Sequence, residues 1–578
     1  MSGPAPSPNS RRARPKPGAV RRRPAQQPER GNLLECRRSL QVQVAVRGVS
    51  EPDPRKLPGP GRAIERVPTG VTAFVGRTLR GPVATPVRIH GFGDFKQIFG
   101  GLWQPSSLSY AVQQFFDNGG REAVIVRAVN GALCATLDLP AGPAALRLVA
   151  VNPGSREYLR AAVDYDGITA ADRFNLIVQR LAVAGSELVQ SQEIQRNLSV
   201  EAGSARFVAD ILQASLLARV AGPVPDARPE PTGVGPAGAM AGYVFANADG
   251  DDGGPLSDYD IIGSLPRHTG IFALTPDTAF DQLYIPPLTR EQDLGMSTLL
   301  VAARFCRERH VLQIVDPPLA WTSPQQALEG LAAWPFRSDN AAMFFPRLTA
   351  FDRLRNRPLA FAPGAAAAGM LARTEYTRRP GLLLQEPEAA LRPLLRPVVA
   401  VSPEESERLA QAGINTLEPL RPGLPRRPCS CTLARGVSAS AQGRYLGAHR
   451  LAQQLAISVE RGTRWVLTAP NVPPTWERAG RQVEDFLEAL RAEGAFAPGE
   501  YQDCCLVVWD ERVNRTSTVA RGAVNLLFGY ALQQAGVLQC WLVTHHPTGS
   551  RVRPVSVNRQ AATPRRVDWE IETAILNA

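Results

Sequence analysis

Two hydrophobic periods, one of two residues and one of about 3.6, take turns along most of this chain. Leu40, Val42, Val44 and Val46 alternate with polar or small residues, which predicts a half-buried strand. A Pro/Gly-rich stretch over 51–61 then separates that strand from any local partner, so its ladder must close elsewhere, and another chain can supply it. Thr72–Gly76 is a short apolar run closed by glycine. Leu108, Val112, Phe115 and Phe116 have helical spacing, are stopped by Asn118-Gly119-Gly120, and lead into the β-branched run Ala123–Arg127. Helix, glycine stop and strand in that order form an αβ unit.

Residues 131–250 change character: strands such as 146–151 and 174–178 alternate with Ser/Gly/Glu-rich turns and end in a Pro/Gly-rich stretch over 222–238. From Asp258 the α/β rhythm returns, with an apolar segment at 280–285, a helix over 294–309 and a buried-type strand over 311–315. Such alternation predicts a mainly parallel sheet. In the last third, Leu451, Leu455, Ile457 and Val459 fit one helix and Trp465–Thr468 reads as a strand. Val483, Phe486, Leu487 and Leu490 form a helical stripe with Gly494 beyond its end. Cys505–Trp509 and Val537–Val543 read as strands, whereas 522–535 fits helix or strand. Val567, Trp569 and Ile571 alternate as a terminal strand.

At 578 residues the chain is long enough for several domains. With 44% hydrophobic and 20% charged residues, its composition is that of an ordinary folded protein. No run approaches the roughly 18 apolar residues of a membrane-spanning helix. The net charge of +12 suggests nucleic acid until it is located. Residues 1–30 hold eight Arg and Lys against Glu29 alone, so only five of the twelve charges remain for the other 548 residues. Seven prolines and few apolar residues make that head unable to bury a core, and it lacks the apolar centre of a secretory leader. Eight cysteines, several within apolar runs, suit a reducing compartment better than a disulfide framework.

Candidate chemistry is thin. None of the six histidines has metal-site spacing, and neither a phosphate-binding P-loop nor a G-x-S-x-G elbow occurs. Gly295-Met296-Ser297 at a helix start offers a serine with His268 or His310 as base, the one hydrolase-like alternative. A helix-initial serine reads more simply as a cap. Asp249–Gly254 lacks the twelfth-position Glu of a calcium loop, and Cys429-Ser430-Cys431 has no second ligand pair. No cofactor or metal is expected.

Several blocks, in order, carry a resemblance. They are Thr72–Arg77 with Arg80-Gly-Pro82, Pro86-Val-Arg88 and Phe95–Gly101; Phe115-Phe-Asp-Asn-Gly-Gly-Arg121 with Val124–Arg127; and Phe174–Val178 with Arg196–Ser199. Further along come Phe280, Leu283, Ile285-Pro286 and Val315-Asp-Pro-Pro318, then Gly369–Thr374, Gly413–Asn415, Gly462–Val466, Asn471 and Trp476. Together they resemble the contractile tail sheath proteins from about residue 60 to 543. Cys429–Cys431 and Leu532 depart from that family's pattern, and 544–578 lies beyond its usual end.

The resemblance implies a multidomain α/β fold: a subtilisin-like central α/β domain, an inserted strand-rich domain, a C-terminal α/β domain and extended terminal strands. The expected segments are a basic head (1–38), a strand arm and linker (39–66), the first part of the core (67–130), the insert (131–250), the central domain (251–400), the C-terminal domain (401–543) and an extension (544–578). It further implies a non-enzymatic subunit that polymerises as stacked rings around an inner tube and contracts to drive that tube into a target. Expected partners are further copies of the chain, the tube protein, and baseplate and cap proteins, with no small-molecule substrate or nucleic acid. Assembly is expected in the bacterial cytoplasm, as part of a phage tail or tail-like particle. In the family, terminal strands pair with a neighbour's C-terminal sheet. Here that role falls to Leu40, Val42, Val44 and Val46 and to Val537, Gln539, Trp541 and Val543, with Val567, Trp569 and Ile571 as a possible extra strand.

Overall fold

The computed structural model describes residues 62–233, 242–377, 391–392, 394–418, 431–434, 445–532 and 534–555. The strands expected at Leu40–Val46 and Val567–Ile571 lie outside them. The described chain opens with β1 (Val71–Gly76), β2 (Val87–Ile89), α1 (Phe92–Phe99), α2 (Ser107–Asp117) and β3 (Glu122–Arg127). All six residues of β1 are buried, as a strand covered on both faces requires. The Ser106 hydroxyl accepts from the Ser109 N–H to cap α2, and Gly119, at φ 108°, turns the chain out of it.

Next come β4 (Thr136–Ala141), β5 (Ala144–Ala150), β6 (Tyr158–Asp164), β7 (Arg173–Leu181), β8 (Val189–Ser199), α3 (Val208–Gln213), β9 (Ala218–Val220) and β10 (Val244–Phe245). They form two antiparallel sheets, β4-β5-β9 and β10-β6-β7-β8. Leu137, Leu139, Leu146 and Leu148 of the first share a core with Leu159, Val163, Phe174 and Leu176 of the second. Polar contacts tie this insert to the strands before it. Arg77 donates to the carbonyls of Asp252 and Gly253, and the Asp252 carboxylate accepts from the Ser155 N–H and hydroxyl.

The central run follows as α4 (Asp258–Ile262), β11 (Gln282–Tyr284), α5 (Met296–Arg309), β12 (Leu312–Val315), α6 (Pro324–Ala333), β13 (Ala341–Phe345), β14 (Leu348–Asp352), β15 (Arg357–Phe361), α7 (Gly364–Thr377), β16 (Arg396–Pro397), α8 (Pro403–Ala412) and β17 (Ile414–Thr416). The principal sheet has the order β17-β13-β12-β11-β1-β3-β2, parallel throughout except for β2. Phe74, Phe115, Tyr284 and Phe344 pack with α7 on one face. Val71, Val75 and Leu283 pack with Ala302, Phe305 and Cys306 of α5 on the other. Ala365 to Ala368 are all fully buried, so small side chains bring α7 close to the sheet. At Gly369 a Cβ would lie 2.2 Å from the Phe115 carbonyl oxygen, so α2 and α7 touch backbone to backbone there.

The chain ends in α9 (Leu446–Thr463), α10 (Pro473–Ala492), α11 (Tyr501–Cys504), β18 (Cys505–Val508), α12 (Thr516–Ala520), β19 (Val524–Tyr530), β20 (Gln539–His546) and β21 (Gly549–Val555). The helical stripe is confirmed: Val483, Phe486, Leu487 and Leu490 of α10 bury against Val524, Leu526 and Phe528. The strand expected at Trp465–Thr468 is instead a 3-10 helix continuing α9. Its three-residue apolar run, Trp465–Leu467, has no period to distinguish the two, and Trp465 is fixed by donating from Nε1 to Gln482 Oε1 at 2.9 Å. The ambiguous 522–535 stretch resolves as β19, wholly buried.

Candidate assembly surfaces

Of the residues singled out for strand exchange, Gln539, Trp541 and Val543 lie in the C-terminal sheet. Its order is β18-β19-β20-β21, antiparallel at every step. α9 and α10 cover one face, while Val508, Val513, Leu527, Cys540 and Leu542 form a smaller core on the other.

Val537 lies before β20, in a turn where its N–H bonds the Gln534 carbonyl, and is 40% exposed. Gln539, Trp541 and Val543 belong to β20. Trp541 stands opposite Phe528 on one side and Pro554 on the other, and Val543 opposite Leu526 and Val552. Both edges of β20 are therefore filled by the chain's own β19 and β21. The expectation of a terminal exchange strand at 537–543 is corrected: β20 is an inner strand, and its backbone groups have no free ladder to offer. β21, unforeseen as a strand, is what changes the picture. Its signal was present, a Pro547-Thr548-Gly549 turn followed by Val552 and Val555. Pro554 within it spoke against a strand, yet an outermost strand tolerates proline.

The outer strands carry the edges. On β21 the Val552 carbonyl accepts from the His310 ring Nε2 at 3.1 Å, and the same ring meets Trp541 edge-on at 5.6 Å. Burial lowers the His310 pKa and favours the neutral ring. On β18 the Cys505 N–H is taken by Tyr501 of α11, and among the described residues no hydrogen bond from outside the sheet reaches Val507. Beneath the hairpin turn, the His545 ring is fully buried between the Thr463 and Ser550 hydroxyls, each at 2.8 Å, and burial pushes its pKa down to about 3.

The hydrolase-like set does not come together. His310 is the C-terminal cap of α5 and Ser297 lies in its first turn, about 20 Å apart at 1.5 Å per residue. The first turn is held by Asp258, which accepts from the Gly295 N–H and the Thr298 hydroxyl, and His268 sits on an exposed turn. Among the described residues no group of three metal-ligating side chains occurs, and no helix is long and apolar enough to cross a membrane.

No protein-family model matches the chain, and no curated protein matches it. Solved structures do. The sheath tail protein of Listeria innocua is similar at 10% identity over 86% of this chain and 97% of that one, with a TM-score of 0.54. The fold is that of a tail sheath protein. Also similar are the contracted PVC sheath of an extracellular contractile injection system, at 13% identity, 83% and 92% coverage and a TM-score of 0.48, and the contracted anti-feeding prophage sheath, at 14%, 82% and 93%, and 0.46. In this sheath fold the candidate surfaces are sheet edges.

Proposed function

We propose that this chain is a structural, non-enzymatic subunit of a contractile sheath. It assembles helically as stacked rings around an inner tube and shortens to drive the tube into a target. The observation that carries the reading is the sheath fold itself, matched over 86% of the chain; this chain's own ordered sequence blocks point the same way. A seven-stranded sheet, parallel but for β2, with helices on both faces supports the subtilisin-like description of the central domain, and the two separate sheets of 136–245 support an inserted domain between 131 and 250.

Strand exchange belongs to this proposal in revised form. The arm at Leu40, Val42, Val44 and Val46 pairs with the C-terminal sheet of a neighbouring copy. Gln539, Trp541 and Val543 hold the middle of that sheet, and Val567, Trp569 and Ile571 form a further candidate strand. Added strands supply main-chain bonds for affinity and alternate side chains for register. The tube, baseplate and cap proteins are the other partners, met in the bacterial cytoplasm as the particle assembles. Negative-stain microscopy of the full chain tests the reading: tubes or stacked rings are expected. Dispersed monomers with a hydrolase activity abolished by Ser297→Ala would replace it with the enzyme alternative.

A further inference from the structure

The principal sheet carries a small cavity, mainly apolar but with two arginines in its wall, outside the carboxyl ends of its strands, the position at which open α/β sheets characteristically bind ligands. It lies between the first turns of α2, the segment after β11 and the residue that follows the β13 strand and its proline. Ser107, Tyr110, Arg290, Arg347 and Phe361 line it, and its volume is about 30 Å³, above what one water needs.

Its donors outnumber its acceptors. Arg290 lies 4.3 Å over the Tyr110 ring and 4.7 Å from the Phe361 ring, and donates from Nη2 to Asp352 at 2.8 Å. Asp352 is saturated, since it also accepts from the Tyr110 hydroxyl and from the Leu354 and Arg355 N–H groups. Asp316, the other carboxylate nearby, accepts from the Tyr284 hydroxyl and the Gly364 N–H. Arg290 Nε and Nη1, Arg347 Nη1 and the Ser107 hydroxyl are all buried without a hydrogen-bond partner. A buried donor left unmade costs about 1–3 kcal/mol, more when charged. Four in one cavity, three of them guanidinium nitrogens, call for an anionic acceptor.

We propose that this cavity is a binding site for a single carboxylate group, held between Arg290 and Arg347 with the Ser107 hydroxyl as third donor. Paired planar guanidinium donors match a planar carboxylate. The carboxylate comes either from a free small acid or from an acidic side chain of a second copy. The second source rests on the sheath reading; the first does not.

The test uses the soluble full chain and acetate, observed by saturation-transfer NMR at constant ionic strength. Saturable binding of acetate is expected, undisturbed by equimolar phosphate. Arg347→Gln should weaken it at least ten-fold, and Ser107→Ala by a smaller factor, since the cap of α2 is Ser106 and stays in place. The exposed Arg304→Gln, away from the cavity, should leave it unchanged. Arg290 is avoided because its loss would strand Asp352. Turbidity during assembly separates the sources: acetate inhibition together with slow assembly of Arg347→Gln assigns a neighbour's side chain, and normal assembly assigns a free acid. Absence of saturable acetate binding, or equal binding by wild type and Arg347→Gln, overturns the site whether or not the chain forms sheaths.

Discussion

His545 shows how a single residue sets conditions on this fold. Its ring must be neutral between two hydroxyls in a fully buried place, with a pKa near 3 against about 6.5 when unfolded. A group whose folded pKa is depressed binds more protons when unfolded, so its contribution to stability is intact above about pH 6.5 and is lost as pH falls toward 3. At 1.36 kcal/mol per pH unit, the loss at pH 5 is roughly 2 kcal/mol. Urea titrations at pH 7 and pH 5 should therefore show a stability drop that His545→Gln largely removes; an unchanged drop in that variant would place the acid sensitivity elsewhere. Gly369 makes a second prediction. Its missing Cβ would sit 2.2 Å from the Phe115 carbonyl oxygen, and overpacking of this kind costs about 1–3 kcal/mol. Gly369→Ala should lower the denaturation midpoint accordingly, despite the better helix propensity of alanine. Neither role was legible beforehand. Gly369 stands only as part of a resembling block and His545 only as one of six histidines without metal-site spacing, because both depend on a partner more than 80 positions away.

Elements were read well where their period was long and badly where an end or a partner decided. β1, α2, β3, α5, β12 and α10 each have a run or stripe whose burial follows from its own residues; the first five were expected within a few positions, and α10 through its C-terminal stripe, ten residues after its start at Pro473. The 3-10 turn after α9 was not, since three apolar residues carry no period. β21 was missed because Pro554 is compatible only with an outer strand, a position that sequence does not reveal. That miss alters a mutational expectation. With β20 taken as terminal, truncation before Val537 would leave a folded subunit lacking only its anchor. With β20 in the middle, the same truncation removes β20, the partner of Val524–Tyr530 on that side, together with β21, and bares Leu526, Leu527 and Phe528. The truncated chain should lose the near-ultraviolet signal of Trp476, Trp509 and Tyr530 and aggregate. A soluble truncated chain that keeps this signal would show that β18, β19 and the helices stand alone.

At the scale of the whole molecule, a contracting lattice needs subunits that slide past one another while remaining joined, and therefore flexible tethers ending in firm anchors. The sequence places such a tether at 51–61, with Leu40, Val42, Val44 and Val46 at its far end. The proposed receiver is the C-terminal sheet, whose inner strands β19 and β20 are paired on both sides and whose outer strands are β18 and β21. Each added backbone hydrogen bond contributes a net ~0.5–1.5 kcal/mol, and each buried valine roughly 1.5–3 kcal/mol. Several of both exceed the cost of ordering about seven residues only if most of the ladder forms. One lost donor should therefore matter. In a strand added along one edge, alternate N–H groups face the partner, so of two successive prolines one must fall on a bonding position. Val44→Pro and Ala45→Pro are thus a matched pair. At least one is expected to give a chain with wild-type circular dichroism and monomeric elution that forms no tubes in negative stain. Full-length tubes from both variants would mean that the arm does not anchor one copy to the next, and that the outer strands β18 and β21 serve some other contact.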